Sequence, residues 1–262
     1  MKTFTDLPAR MADLPRDHLG RPVPWFVWID DDGVPDFRVV GPGKLQRAVR
    51  CSLCWCCGYG FAGGEDRAWL IGPMCTVNLV SAEPPSHLDC AIWSAENCTF
   101  LITPNMVRRD RRMPEGAVNP AGIMIRRNPG ASVVWVTGYR GWKAEQEGIG
   151  YLFRLSPAKQ ALWFAEGREA TRAEVLASID SGLPILRDMA EQDGPEAVAE
   201  LGRMHAAALA YVPPAGGSDD GDDDEHCAWC AVSGEMQSFN GQHFCDEDCA
   251  EAYRAEWEAS DA

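Results

Sequence analysis

The stretch Cys54-Trp-Cys-Cys57-Gly58 carries two cysteines with zinc-ligand spacing on a turn that ends in glycine. A zinc knuckle needs two thiolates on one tight turn, and a glycine after the second cysteine eases the backbone bend. A second pair of soft ligands follows in Ser86-His87-Leu-Asp-Cys90, just after Pro84-Pro85 and therefore at a predicted helix start. Residues i and i+3 of a helix share one face. We therefore predict a zinc site formed by Cys54, Cys57, His87 and Cys90.

The remaining cysteines of this region leave the ligand set open, and they are Cys51, Cys56, Cys75 and Cys98. Cys51 is spaced from Cys54 like a knuckle cysteine but lacks the following glycine. Cys75 could replace His87 as a ligand. Cys98 could join Cys51 or Cys56 at an additional ion. We favour the simpler interpretation that Cys56, Cys75 and Cys98 are small buried apolar residues, as free cysteines often are.

A second group of cysteines follows in Cys227-Ala-Trp-Cys230 and Phe244-Cys245-Asp-Glu-Asp-Cys249. Its two thiolate pairs predict a closed tetrahedral zinc site formed by Cys227, Cys230, Cys245 and Cys249. Residues 227–257 resemble the treble-clef zinc fingers of the Phe-Cys-Ser-x-x-Cys type, with Asp246 in the serine position. The resemblance implies a hairpin that carries one ligand pair and a helix that carries the other. Fingers of this type bind proteins, nucleic acids or metals, so the resemblance selects no partner.

The net charge of −15 is concentrated near the C-terminus. Residues 215–226 hold six acidic residues and no base, and 227–262 hold eight acidic residues against Arg254, so residues 1–214 carry only −2. A segment rich in proline, glycine and aspartate cannot bury apolar surface, and we expect 213–226 to be a disordered linker. The module that follows it is too short for a core of its own and would need its metal to fold.

The pattern of elements predicts an α+β fold with small β-sheets, a zinc-stabilised body and a C-terminal helical segment, followed by the tethered finger. Strands are predicted at 25–29, 37–40, 69–71 and 76–80, and a second small sheet at 132–137, 151–155 and 161–164. Helices are predicted at 44–50, over about ten residues after Pro84-Pro85, from the capping box Thr171-Arg-Ala-Glu174, and from Pro195 to about 211. Gly182 is expected to interrupt the third of these helices before Pro184.

These elements give five predicted regions. They are an N-terminal tail (1–20), a zinc-binding α+β region with an arginine-rich loop (21–130), strands followed by helices (131–212), the acidic linker (213–226) and the treble-clef-like finger (227–262).

Several short stretches carry a resemblance that spans most of 20–212. They are Arg21-Pro-Val-Pro-Trp-Phe26, Gly41-Pro-Gly-Lys44, Ile71-Gly-Pro-Met-Cys75, Glu83-Pro-Pro-Ser-His-Leu-Asp-Cys90 and Trp163-Phe-Ala-Glu-Gly-Arg168. In these stretches the body resembles uncharacterised proteins of high-GC bacteria and their phages. That resemblance implies no activity, and it supports the boundaries of the body.

The sequence favours a cytoplasmic protein with reduced thiols. No apolar run near the N-terminus resembles a signal peptide, and none reaches the roughly 18 residues of a membrane span. Clustered Cys-x-x-Cys motifs in such a chain indicate metal or redox chemistry rather than disulfides. We favour zinc, because a redox Cys-x-x-Cys normally opens a helix and Cys57 is instead followed by a glycine-rich stretch. The acidic tail makes a membrane partner a poor match.

An enzymatic role is the third-ranked interpretation. The chain lacks the His-x-Glu and Pro-Cys-x-x-Cys pattern of zinc deaminases, the His-Glu-x-x-His helix of zincins and the phosphate-binding loop of nucleotide hydrolases. Two pairs of soft ligands also close the coordination sphere, whereas a catalytic zinc keeps one position for water. No motif identifies a small-molecule substrate or a catalytic residue.

Arginines between 108 and 127 make nucleic-acid binding the second-ranked interpretation. The candidate residues are Arg108, Arg109, Arg111, Arg112, Arg126 and Arg127. Arginine neutralises phosphates and can read guanine edges. The alternative is a solvated loop surface, which the nearby prolines support. The first-ranked interpretation is a protein with two structural Zn²⁺ ions that acts as a protein-interaction or adaptor module.

Overall fold

The computed structural model describes residues 4, 6–109, 111, 113–114, 120–123, 125–215, 237–239 and 242–244. The chain divides into two units, Met1–Gly217 and Ser218–Ala262. Most of the predicted acidic linker lies outside the described residues, as do all four predicted ligands of the C-terminal finger, which are Cys227, Cys230, Cys245 and Cys249.

The first unit is α+β, with antiparallel sheets and five α-helices among the residues described. Its strands are β1 Val27–Ile29, β2 Pro35–Val40, β3 Arg67–Ile71, β4 Val80–Ser81, β5 Ala131–Thr137, β6 Trp142–Glu147, β7 Gly150–Leu155, β8 Gln160–Ala165 and β9 Arg168–Glu169. Its helices are α1 Lys44–Cys51, α2 Pro73–Asn78, α3 Leu88–Asn97, α4 Arg172–Asp193 and α5 Pro195–Leu209. In the second unit, β10 Gln237–Phe239 pairs antiparallel with β11 Gln242–Phe244.

The largest sheet has the strand order β3-β5-β8-β9, and all of its pairs are antiparallel. Every residue of β5 is buried, in keeping with its run of β-branched and aromatic side chains. Trp69 of β3 lies opposite Trp135 of β5, and Val133 lies opposite Trp163 of β8. The two tryptophans of the first pair are almost completely inaccessible, so this sheet forms the centre of the first unit.

The two faces of this sheet bury different partners, because side chains alternate along each strand. One face carries Trp69, Val133 and Trp135, and it packs in one apolar cluster with α2, α4, α5 and β7. The opposite face carries Ala68, Val134 and Val136, and it packs against Ala91 and Ala95 of α3. The small side chains of α3 let the helix lie close to the sheet. Helix α3 is therefore packed directly against this face of the sheet.

A second sheet has the order β4-β7-β6. The prediction that 132–137, 151–155 and 161–164 form one sheet is therefore wrong, since β7 pairs with β4 and β6 rather than with β5 or β8. The prediction of a strand over 76–80 is also wrong. Pro73 opens helix α2 there, Thr76 Oγ1 donates to the Pro73 carbonyl oxygen over 2.6 Å, and extended structure begins only at Val80.

Helix α4 begins as predicted and continues further than predicted. Thr171 caps it, and its Oγ1 accepts from the Glu174 amide while Glu174 accepts from the Thr171 amide, so the capping box is confirmed. The expected interruption at Gly182 is wrong, because α4 runs through Pro184 to Asp193. Gly182 instead allows helix α2 to approach, since a Cβ at this position would lie 2.8 Å from Met74 Cγ.

A tight turn connects β1 to β2. Asp30 Oδ1 accepts from the amides of Asp32 and Val34, which fixes the turn. In the part of the chain that the structure describes, no helix is both long enough and apolar enough to span a bilayer.

Candidate metal centre

Cys54, Cys57, His87 and Cys90 come together in the first unit. One ligand atom from each residue lies within 4.8 Å of the others, and all four residues are buried. These are the four residues whose spacing predicts a metal site. The arrangement could hold a metal ion, because three sulfurs and one imidazole nitrogen are a donor set that suits a tetrahedral soft cation.

The Cys54–Cys57 turn has the hydrogen bonds of a metal-binding knuckle. The Cys57 amide points at Cys54 Sγ over 3.5 Å, and the Gly58 amide donates to the Cys54 carbonyl oxygen over 2.9 Å. Gly58 has φ +77°, a conformation that side chains rarely adopt. A Cβ at Gly58 would also lie 2.4 Å from the ring of Trp25. Glycine is therefore required here for two separate reasons.

The second half of the centre lies at the start of helix α3. His87 is the N-cap residue of this helix, and Cys90 is in its first turn. Ser86 exchanges two backbone hydrogen bonds with Ala68 of β3, over 2.7 and 3.0 Å, and so holds the helix start against the large sheet. The His87 amide donates to Cys54 Sγ over 3.3 Å. Both halves of the donor set are thus positioned by backbone hydrogen bonds.

The electrostatics of the cluster favour negative charge on one sulfur, that of Cys54. Burial opposes ionisation of Cys54, but hydrogen bonds from Cys56, Cys57, Cys90 and His87 outweigh it and place the Cys54 pKa far below its ordinary value. The hydrogen bonds with Cys54 and Cys57, together with burial, raise the pKa of Cys90 strongly. Burial lowers the pKa of His87, but Cys54 and Cys57 raise it to about 10. A divalent cation would replace the protons that these groups share.

Among the residues that the structure describes, the other cysteines of the first group are not part of the four-donor set. Cys56 is buried, lies 3.3 Å from Ser86 Oγ, and has a raised pKa because of its hydrogen bond with Cys54 and its burial. Cys75 packs against the main core, and burial raises its pKa to about 11. Cys51 and Cys98 are exposed, and the expectation that Cys98 is buried is wrong.

His87 is surrounded by a set of residues that no sequence pattern predicts. Glu65 Oε2 lies 3.9 Å from His87 Nε2, and the ring of Phe61 lies 4.5 Å from the imidazole between centroids. Arg10 donates to Glu65 Oε1 over 3.1 Å. Met11 is completely buried in the apolar cluster that contains the cysteines. Residues 10 and 11 belong to the predicted N-terminal tail, and at these positions the chain packs against the centre.

The arginine candidates lie on a short antiparallel ribbon. Val107 pairs with Arg127, and the Arg108 amide donates to the Arg126 carbonyl oxygen over 2.9 Å. Arg108 is half-buried, and its guanidinium donates to the Arg38 carbonyl oxygen over 2.6 Å. The remaining described candidates are exposed, namely Arg109, Arg111, Arg126 and Arg127. Arg112 lies outside the described residues.

Arg38 is a further residue that no sequence pattern identified. Its guanidinium donates to the carbonyl oxygens of Arg109 and Arg111, over 2.9 and 3.0 Å, and so connects strand β2 to the arginine ribbon.

No protein-family model, curated protein or solved structure matches this chain.

Proposed function

We propose that Cys54, Cys57, His87 and Cys90 bind one Zn²⁺ ion with a structural role, and that the body stabilised in this way is a protein-interaction module. The observation that carries the proposal is the buried, closed set of four donors. Four protein ligands complete the tetrahedral sphere of Zn²⁺ and leave no position for a reacting water.

The position of the donors supports a structural role. The cluster around them contains the cysteines and Met11, with Leu7, Leu14, Phe61 and Trp93 at its edge. Such a cluster surrounds the Cys54 sulfur, which favours the ionised form, with buried and partly buried apolar side chains. A bound cation would compensate that charge and would join the knuckle to the start of α3. The free energy of metal binding would then contribute directly to folding.

A groove beside helices α4 and α5 supports a protein partner. Its volume is about 510 Å³. Its apolar lining is Val80, Leu186, Met189, Ala190, Ala197, Leu201 and Met204, and its polar lining is Asn78, Arg154, Asp193 and Glu200. Met189 is more than one-third exposed. Methionines suit such a surface because their flexible side chains adapt to the shape of a partner.

Metal content of the intact chain tests the structural zinc. We expect two Zn²⁺ ions by native mass spectrometry and one ion after Cys227→Ser and Cys230→Ser, since the second ion would belong to the C-terminal finger. Exchange of Cys54 and Cys57 for serine in that double variant should remove the last ion. A body that binds no zinc, or that retains it without these two cysteines, would overturn the proposal.

A photo-crosslinking side chain at Met189 tests the partner role of the groove. We expect a specific crosslinked protein in the cell of origin, and no such product from the exposed position Arg187 on the same helix. Equal labelling from both positions would contradict a role of the groove.

Nucleic-acid binding is a second candidate, and the pairing of Val107 with Arg127 supports it because this pairing gathers the arginines. The ribbon would bind phosphates through its exposed guanidinium groups. We expect fluorescein-labelled single-stranded DNA to bind at low salt and to bind more weakly after Arg109→Gln and Arg127→Gln. The matched control is Arg47→Gln with Arg50→Gln on the exposed side of α1. Equal loss in both double variants would argue against a specific surface.

A further inference from the structure

The two nitrogens of the His87 ring face different surroundings. Nδ1 lies 3.3 Å from Cys57 Sγ and therefore points at the donor cluster. Nε2 lies 3.9 Å from Glu65 Oε2, which is within ion-pair distance for a protonated imidazole and longer than a direct hydrogen bond. A neutral imidazole carries its proton on one nitrogen only, so the group that accepts this proton decides which nitrogen can bind a metal.

Glu65 is held in place by contacts on both of its oxygens. The Ala62 amide donates to Oε2 over 2.8 Å, and Arg10 donates to Oε1 over 3.1 Å. The Glu65 amide also donates to the Ala62 carbonyl oxygen, over 3.2 Å, so the carboxylate closes a short turn. The Glu65 side chain is less than one-third exposed. These contacts keep the carboxylate beside the imidazole.

The imidazole itself is confined between neighbouring groups. The ring of Phe61 packs against it, and the guanidinium of Arg67 lies 3.8 Å from the centroid of Phe61 on the ring face. Arg67 is buried, and its guanidinium also contacts the Glu65 carbonyl oxygen. A ring flip of His87 would have to displace this stack.

We propose that Glu65 is a positioning residue for the metal centre. Its carboxylate faces Nε2 of His87 and favours the proton on that nitrogen, which leaves Nδ1 to bind the metal. The inference rests on the proposed zinc centre. Carboxylates beside metal-bound histidines fix the ring and increase its basicity, and their loss commonly weakens metal affinity by about 10- to 100-fold.

The same contacts connect the centre to the N-terminal segment. Arg10 reaches both Glu65 and Asp89, with a distance of 3.6 Å between Arg10 Nε and Asp89 Oδ2. The next residue, Met11, packs among the cysteines. Loss of Arg10 should therefore weaken metal binding less than loss of Glu65, because Arg10 acts on the ligand only through the carboxylate.

The test uses the full-length chain with Cys227→Ser and Cys230→Ser, so that zinc reports on the first centre. Zinc affinity is measured by competition with a chromogenic chelator, and the His87 tautomer by long-range ¹H–¹⁵N correlation spectra. His87→Cys, which keeps four donors, identifies the His87 signals. We expect Nδ1 coordination, with a proton on Nε2, in the parent protein.

Glu65→Ala should weaken zinc binding by about 10- to 100-fold and shift the Nε2 resonance. Glu65→Gln, which retains an acceptor oxygen, should restore part of the affinity. Asp66→Asn is the matched control, because this neighbouring carboxylate pairs with Lys159 and should leave both measurements unchanged.

The inference would be overturned if Glu65→Ala left both the zinc affinity and the His87 tautomer unchanged. It would also be overturned if Nε2 coordinated the metal in the parent protein. A parent that binds no zinc would refute the zinc centre itself, so the two failures can be told apart. If Glu65→Ala does not fold, Glu65→Gln is compared with Asp66→Asn instead, and a smaller loss of zinc affinity is expected in Glu65→Gln alone. Equal loss in Glu65→Gln and Asp66→Asn would also contradict a specific role of Glu65.

Discussion

The backbone amide of His87 donates to the sulfur of Cys54 over 3.3 Å, so the start of helix α3 contacts the knuckle directly. The Cys57 amide approaches the same sulfur. Amide hydrogen bonds to a sulfur stabilise its thiolate form, which is the form that binds a metal. The backbone therefore helps to prepare Cys54 as a ligand.

Loss of Cys54 should separate the two halves of the centre. We expect Cys54→Ser to bind no zinc at the first centre and to unfold at lower urea concentration. Zinc at a thousand times its Kd stabilises a folded protein by about 4 kcal/mol, and this contribution would be lost. Cys51→Ser is the control, because Cys51 is exposed and outside the donor set. Equal zinc content in Cys54→Ser and the parent would refute the assignment.

Removal of the metal should increase hydrogen exchange much more in some segments of the chain than in others. A chelator should increase hydrogen exchange in 52–61 and around Met11, because these segments pack on the donor cluster. Exchange in β5 should change far less, since that strand lies between two covered faces of the sheet. The measurement is hydrogen exchange with mass spectrometry on the zinc-loaded and chelated protein. Uniform acceleration across both regions would mean that the metal supports the whole fold.

The capping box of α4 should make the free energy of unfolding depend on pH. Hydrogen bonds from Arg168 and from Thr171 lower the pKa of Glu174 to about 2, against an ordinary value of 4.5, although partial burial opposes the shift. Because the folded pKa is depressed, the contribution of Glu174 is complete above pH 4.5 and is lost as the pH falls toward 2.

Urea unfolding of the parent and of Glu174→Gln at several pH values measures this contribution. Glutamine can still accept a hydrogen bond from the Thr171 amide in the capping box, so the variant removes only the charge that pairs with Arg168 and lies in the first turn of α4. We expect a difference in the free energy of unfolding of up to about 1 kcal/mol at pH 7. The difference should narrow below pH 4.5 and become small near pH 2, because the parent carboxylate is then protonated. A difference that stays constant over this range would show that the charge of Glu174 does not contribute.

Helix α4 gives a further prediction at Gly182. Alanine there would place a Cβ 2.8 Å from Met74 Cγ, and Met74 is buried. Overpacking costs about 1–3 kcal/mol, whereas alanine in a helix gains about 1 kcal/mol over glycine. We therefore expect Gly182→Ala to lower the free energy of unfolding by about 1 kcal/mol on balance.

Gly202→Ala in α5 is the matched control for that substitution. A Cβ at Gly202 would meet no atom within 4 Å, so only the helix propensity changes. We expect this variant to be more stable than the parent by up to about 1 kcal/mol. The two variants should thus differ in the sign of their effect, and the same sign in both would contradict the close approach of Met74 to α4.

The contrast between Gly182 and Thr171 also shows what the sequence can predict. A capping box is a local pattern, and so is a knuckle that ends in glycine, so both can be identified from spacing. The packing reason for Gly182 depends on Met74, which lies far away in the sequence. Glu65 and Arg10 come together only when the chain folds. No sequence spacing connects either residue with His87, so neither could be predicted as its neighbour. The strand predicted over 76–80 failed because a short apolar run does not distinguish a strand from a buried helix.

Gly58 allows the strain of the knuckle to be measured separately from its packing. Gly58 and Gly64 both have φ +77°, but only a Cβ at Gly58 would clash, at 2.4 Å from the Trp25 ring. Left-handed backbone costs a non-glycine residue about 1–2 kcal/mol, so both alanine variants should be destabilised by that amount. Gly58→Ala should lose more stability and should also bind zinc more weakly, because Trp25 has to move away from the turn that carries Cys54 and Cys57.

Urea unfolding followed by tryptophan fluorescence, together with chelator competition, measures both effects. Equal losses in the two variants, with unchanged zinc affinity, would show that the Trp25 contact does not support the centre.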